Sequence, residues 1–181
     1  MPRPVCVRYP CASVILRWEP NMRGCCLATE TSEPFLTAQG DAQTSNKGGC
    51  MKRTQYASDF QKSRSYAPAV VTEGGRIAWL AGILATEDEN GRSLANDFRG
   101  QVHCVFRKMA SQMEEVGGTL DDIVTMTGYI TEVSDNLDFV EVRKEYFKQD
   151  RYPASTLVTV KALNRPDALV EITATAVLPQ K

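Results

Sequence analysis

The sequence predicts an α+β fold, a mixed sheet with two helices on one of its faces, and three observations predict it. Two segments carry apolar residues at three- and four-residue intervals, each as a single stripe that has to be buried against another layer. Runs rich in β-branched residues, bounded by Gly, Asp, Asn and Ser, alternate with those segments and read as strands. In the last run Val170, Ile172, Ala174 and Ala176 fall on one side, while Leu169, Glu171, Thr173, Thr175 and Val177 make a mixed side.

The elements follow in order from Tyr66. Ala69–Thr72 and Arg76–Ala81 flank Glu73-Gly74-Gly75 and read as a β-hairpin, because glycine supplies the positive φ of tight turns. Asn90-Gly91 marks another turn. Phe98, Val102, Val105, Phe106, Met109, Met113 and Val116 then form one helical stripe, which Gly117-Gly118 closes as a glycine C-cap does. Ile123–Ile130 reads as a strand. Ser134-Asp135-Asn136 reads as the N-cap of a second helix running to about Lys148. Two further strands, Ala154–Leu163 and Ala168–Ala176, are joined by Asn164-Arg165-Pro166-Asp167. The order ββ(β)αβαββ fits two helices covering one face, and the mixed opposite face is expected to meet other subunits.

Composition bounds the function. The 181 residues are 43% hydrophobic and 24% charged, which argues for one domain or slightly more and against a second full one. No run of 18 apolar residues is present, so an integral membrane role is excluded and a cytoplasmic location is expected. Twenty-one basic against 22 acidic side chains give a net charge of −1, which argues against nucleic acid as partner.

The first fifty residues differ in character. They hold Cys6, Cys11, Cys25, Cys26 and Cys50, whereas only Cys104 lies beyond, and Pro2, Pro4, Pro10, Pro20 and Pro34 interrupt any period. A disulfide framework would leave one of the five cysteines unpaired, and a zinc site would lack a nearby imidazole, His103 being far away. Arg3, Arg8 and Arg17 precede the first acid, Glu19, as in transit peptides. Early prolines nevertheless spoil an amphipathic helix, and Ala12–Leu16 is short for a secretory core. The favoured expectation is that residues 1–50 are a disordered leader of translated upstream sequence. The polypeptide would start at Met51, with the purine-rich codons of Lys47-Gly48-Gly49 as a ribosome-binding site, and 51–181 would form one domain.

Tyr66, the segment Ile77-Ala78-Trp79-Leu80-Ala81-Gly82, the helix end Val116–Val124, Tyr152-Pro153-Ala154-Ser155-Thr156-Leu157-Val158 and Leu169-Val170-Glu171-Ile172 together resemble the Rid family. This family is also called YjgF and is often described as endoribonuclease L-PSP. The resemblance covers residues 60 to 178 and leaves out the leader. It implies a chorismate-mutase-like protomer, a homotrimer with three sheets around a central barrel, and small-molecule pockets at the subunit interfaces. It further implies cofactor-free, metal-free hydrolysis of reactive enamines and imines, such as 2-aminoacrylate, to a 2-keto acid and ammonia.

The resemblance also assigns residues. Glu171 matches the family's glutamate and is the candidate for activating water, since a carboxylate in a partly buried pocket suits that proton transfer. The alternative is a glutamate lining a wet subunit seam. Deaminating members carry an arginine after Pro-Ala that grips the substrate carboxylate, but here Ser155 stands in its place. Losing a charge-assisted contact costs on the order of 1.5–3 kcal/mol, so the usual amino-acid-derived imines are expected to be poor substrates. Val140 stands near the family's helical asparagine. Ser155, Thr156 and Leu157 are the candidate strand contacts, with hydroxyls suited to a neutral or differently shaped ligand, or simply satisfied by backbone. Arg151 or Arg165 could supply a substitute cation from a loop. Tyr66 matches a pocket-wall tyrosine and Gly82 a point of close strand approach, and both fit ordinary packing as well. His103 reads as solvated or as a seam hydrogen-bonder, and Cys104 as a small apolar residue.

Three functions follow from these residues. The first is hydrolytic deamination of small imines or enamines with non-standard specificity, a 2-aminomuconate-like substrate being one the family allows. A trimer that binds a small molecule without turnover is the second. Ribonuclease activity is the third, and the absence of a basic, aromatic stripe argues against it.

Overall fold

In the computed structural model, which describes residues 51–180, the apolar stripes become the surfaces along which helices and sheet meet. Residues 1–50, and with them the reading of a leader ahead of Met51, lie outside the described residues. The order is β1 (Lys52–Tyr56), α1 (Asp59–Ser63), β2 (Ala69–Glu73), β3 (Arg76–Leu84), α2 (Phe98–Glu115), β4 (Ile123–Ile130), α3 (Asn136–Tyr146), β5 (Ala154–Thr159) and β6 (Val170–Leu178). No helix among the described residues is long and apolar enough to cross a membrane.

Both ends of α2 are fixed by the residues that predict them. The Asp97 carboxylate accepts from the Gly100 N–H at 2.9 Å, satisfying one of the orphan donors of the first turn. At the other end the N–H groups of Gly117 and Gly118 donate to the carbonyls of Glu114 and Met113, with φ of 81° at Gly117, the paired hydrogen bonds of a glycine-closed helix. Between them Val102, Val105, Phe106, Met109 and Met113 are wholly buried. The Phe106 ring stacks on Tyr146 at 4.9 Å and meets Phe139 and Phe147, so the two long helices share an aromatic seam. Each such side chain contributes about 1.5–3 kcal/mol by leaving water.

The main sheet runs β3-β6-β4-β5, antiparallel at the first two pairings and parallel at the third. Parallel neighbours need a crossover, and α3 is that crossover. Met126, Ile130, Val170 and Ile172 face the helices and are buried. On the other face lie Thr125, Thr127, Thr173, Thr175 and the exposed side chains of Trp79 and Val158. Buried Gln101 ties the connections down: its amide donates to the carbonyls of Leu94 (3.0 Å) and Asp167 (2.7 Å) and accepts from the Leu169 N–H (2.9 Å).

Three expectations change. Gly74 and Gly75 do turn the chain, with φ of 74° and 91°, but β2 and β3 do not form a hairpin. β2 pairs with β1, and β3 runs the length of β6, from Arg76 opposite Leu178 to Leu84 opposite Glu171. Gly75 is pressed against Val177 and Leu178, where a Cβ would stand 2.5 Å from the Val177 side chain, so the turn delivers β3 to β6. Second, β1 and α1 were not expected. Lys52–Tyr56 has no apolar stripe, and Arg53 holds it by donating to the carbonyls of Arg151, Tyr152 and Asp121. Third, element ends shift: β5 stops at Thr159, β6 runs Val170–Leu178 and α3 stops at Tyr146.

Candidate functional site

A cavity of about 130 Å³ opens where α3 meets β5. Arg64 and Tyr66 line it from the segment after α1, Asn136, Val140 and Arg143 from α3, and Ser155 and Leu157 from β5. Gly128 on β4 permits the close approach of these elements. A Cβ there would stand 2.9 Å from Leu157 Cδ1 and 3.0 Å from Phe139 Cζ.

Arg143 dominates the chemistry. It is only 3% exposed, and its guanidinium lies 5.1 Å from the Phe139 ring centroid. Nε donates to Ser65 Oγ at 2.9 Å, Nη1 to Ser155 Oγ at 2.5 Å and Nη2 to the Arg64 carbonyl at 2.8 Å. Ser65, fully buried with a left-handed φ of 55°, in turn donates to the Val140 carbonyl at 3.0 Å. That backbone conformation costs a non-glycine residue energy, and here it turns two acceptors, one hydroxyl and one carbonyl, towards Arg143. Desolvation pulls the Arg143 pKa down to about 10, opposed by Tyr152 and reinforced by Arg64, so the group stays cationic at neutral pH.

Arg64 supplies a second guanidinium, with Nη2 donating to Asn136 Oδ1 at 2.6 Å. Neither arginine is ion-paired with a carboxylate among the described residues. The cavity wall thus holds two cations, hydroxyls and an amide, with Tyr66, Val140 and Leu157 as its less polar part.

The residues expected from the sequence divide between two places. Tyr66, Ser155 and Leu157 line the cavity. Glu171, Gly82 and Thr156 lie on the sheet face turned away from the helices: Glu171 is paired with Tyr129, and Thr156 is opposite Thr127. Gly82 and Glu171 are in contact, since a Cβ on Gly82 would stand 2.0 Å from Glu171 Oε1. Behind Ser155 stands Arg143, a cation that the strand motif does not show. Neither loop arginine named from the sequence lines this cavity. The Arg151 carbonyl accepts from Arg53, and the Arg165 guanidinium lies 3.4 Å from Thr86 Oγ1 beside a separate hollow.

Val140 stands at the wall where an asparagine was looked for, and Asn136, one turn earlier, provides the amide. Arg143, Arg64 and Asn136 were missed. For Arg143 a signal existed: it falls four residues after Phe139 and three after Val140, a charge on the apolar stripe of α3. His103 is within 3.0 Å of the Tyr146 hydroxyl, and Cys104 is buried in the core. Among the described residues no cluster of His, Cys, Asp or Glu could hold a metal ion. A larger hollow of about 430 Å³ beside Thr119 and Glu145 is flanked by the Lys148–Asp121 ion pair, at 2.6 Å, which already matches its charges.

Comparison with known proteins adds a second line. The family model described as endoribonuclease L-PSP matches residues 57–178. The chain is 31% identical over 102 residues to a RutC family protein of Pyrococcus abyssi, covering 56% of this chain and 79% of that relative. It is 29% identical over 111 residues to a RutC family protein of Pyrococcus horikoshii, covering 61% and 85%. Among solved structures, a conserved Rid-family protein, YyfB of Yersinia pestis, superposes with a TM-score of 0.62 at 22% identity, covering 70% and 98%, a likeness of fold. RidA from an Antarctic Psychrobacter superposes with a TM-score of 0.52 at 27% identity, covering 69% and 94%.

Proposed function

From the premise that this chain belongs to the Rid/YjgF family, whose model carries the endoribonuclease L-PSP description, we propose that it is a cofactor-free hydrolase of small imines and enamines that works as a homotrimer. The observation that carries the reading is the Gly82–Glu171 contact. Where β3 lacks a side chain, the Glu171 carboxylate fills the space and is presented on the open face of the sheet.

The chemistry needs little more. An enamine first tautomerises to its imine. Water then adds to the imine carbon: a C–O bond forms and the C=N π pair moves to nitrogen. Glu171 accepts the proton that water loses and returns a proton to nitrogen, leaving a carbinolamine. The C–N bond breaks, ammonia departs and the hydroxyl becomes a carbonyl. Water is consumed, and the products are a ketone and ammonia.

Within one protomer Glu171 and the cavity lie on opposite faces of the sheet, so the reading requires a second copy to bring them together. The threonines of the open face and the 78% exposure of Trp79 support cover by another subunit. The test is release of ammonia from an imine generated in situ by amino-acid oxidation, comparing the natural protein with Glu171→Ala. A fall of about 10²-fold or more is expected for loss of a general base. Unchanged turnover removes the catalytic role.

A further inference from the structure

We propose that Arg143 and Ser155 act as one carboxylate-binding group, so that the cavity takes a small ligand bearing a carboxylate although its strand position is occupied by a serine. The inference rests on the cavity being the substrate site of the proposed hydrolase, and it names the class of substrate.

Donor arithmetic supports it. A guanidinium has five N–H groups, and Arg143 uses three, on Ser65, Ser155 and the Arg64 carbonyl. One N–H on each terminal nitrogen is left without an acceptor among the described residues, in a side chain 97% removed from solvent and lining a cavity. All three acceptors are neutral. A cation buried without a counter-charge is costly to keep, and a carboxylate entering the cavity would supply what the fold withholds.

Ser155 completes the group. Its oxygen accepts from Arg143, so its own proton is free to point elsewhere, and among the described residues it has no acceptor. Ser65 differs, because its proton is committed to the Val140 carbonyl. The arginine therefore fixes the polarity of Ser155, turning a hydroxyl that could donate or accept into a donor aimed at an anion. Arg64, held by Asn136, adds a second positive charge to the same wall, and Tyr66, Val140 and Leu157 are there for a short carbon tail. The volume of about 130 Å³ suits a molecule of few heavy atoms.

The experiment measures binding apart from turnover. 2-Oxobutanoate and its neutral isostere 2-oxobutanamide are titrated calorimetrically into the full-length protein, with inorganic phosphate as a competing anion. The acid is expected to bind at least about tenfold more tightly than the amide, and phosphate to compete weakly. Ser155→Ala, which leaves the buried cation in place and is chosen to keep the fold, should reduce that preference by about threefold. Arg143→Gln should abolish it, and Arg143→Lys should restore only part, since an ammonium lacks the planar fork. Equal affinity for acid and amide, phosphate binding as tightly as the acid, no detectable binding of either probe, or a preference unmoved by Ser155→Ala would each overturn the proposal. Imine turnover without a preference for the acid sinks this inference and leaves the hydrolase standing. A preference without turnover does the reverse.

Discussion

Arg143 crosses from α3 to β5 to place Nη1 2.5 Å from Ser155 Oγ, and the bond runs from a buried cation to a neutral hydroxyl. A structural arginine would normally be given a carboxylate in such a place, because an unmatched buried charge costs several kcal/mol even after relaxation. The Phe139 ring at 5.1 Å returns only a part of that, on the order of 1–2 kcal/mol. The arrangement opposes stability, and that opposition can be measured.

Arg143 should destabilise the fold below its own pKa. Its pKa in the folded protein, about 10, lies well below the ordinary guanidinium value because burial disfavours the charge, so above about pH 10 the unfolded chain holds more protons. The stability penalty is then fully present below about pH 10 and is relieved as pH rises further. Urea denaturation of the natural protein and of Arg143→Met, at pH 8 and at pH 11, isolates the effect. The natural protein should gain on the variant by roughly 1–1.5 kcal/mol at the higher pH. At neutral pH the relief of removing the buried charge is offset by the Arg64 carbonyl left without its donor, so the variant should differ from the natural protein by no more than about 2 kcal/mol.

Gly82→Ala separates site geometry from folding. The new Cβ would meet Glu171 Oε1 at 2.0 Å, and the carboxylate, at the end of a flexible side chain, must rotate away. Gly82 has no positive φ, so the backbone accepts alanine. Ammonia release should fall by about tenfold or more, as misplacement of a reacting group does, while the melting temperature moves by only a few degrees.

Gln101→Leu tests the tie between loops. The substitution keeps the bulk but strips hydrogen bonds from the Leu94 and Asp167 carbonyls and the Leu169 N–H. Leaving such groups unsatisfied should cost on the order of 3 kcal/mol, read from the midpoint of chemical denaturation.

The open sheet face should carry the subunit contacts. Thr127 lies between Thr156 and Thr173 at its centre, so Thr127→Arg would place three like charges together in a trimer. Sedimentation should find the natural chain as three subunits and the variant as one. A variant that remains trimeric would assign the contacts to another surface.

The elements legible in the sequence are those whose burial repeats along the chain. The α2 stripe from Phe98 to Met113, its Gly117-Gly118 end and the alternation of Val170, Ile172, Ala174 and Ala176 are local patterns, and the structure keeps them. Strand partnership is not local. The turn at Gly74-Gly75 is visible, but whether β3 goes to β2 or to β6 depends on a strand a hundred residues away. The polar strand Lys52–Tyr56 exists only through its ladder with β2 and the long-range bonds of Arg53. The site was half legible for a related reason. Ser155 is read from a motif, whereas the cation behind it sits on a neighbouring helix and shows only as a charge on an apolar stripe.

The parallel pairing of β4 with β5 has an evolutionary consequence. Because α3 is the link between them, five of the seven cavity-lining residues fall within positions 136–157. A single short stretch of gene therefore encodes most of the cavity wall. Arg64 and Ser65, which hold Arg143 from outside that stretch, would have to travel with it for the geometry of the cavity to be carried into a homologue.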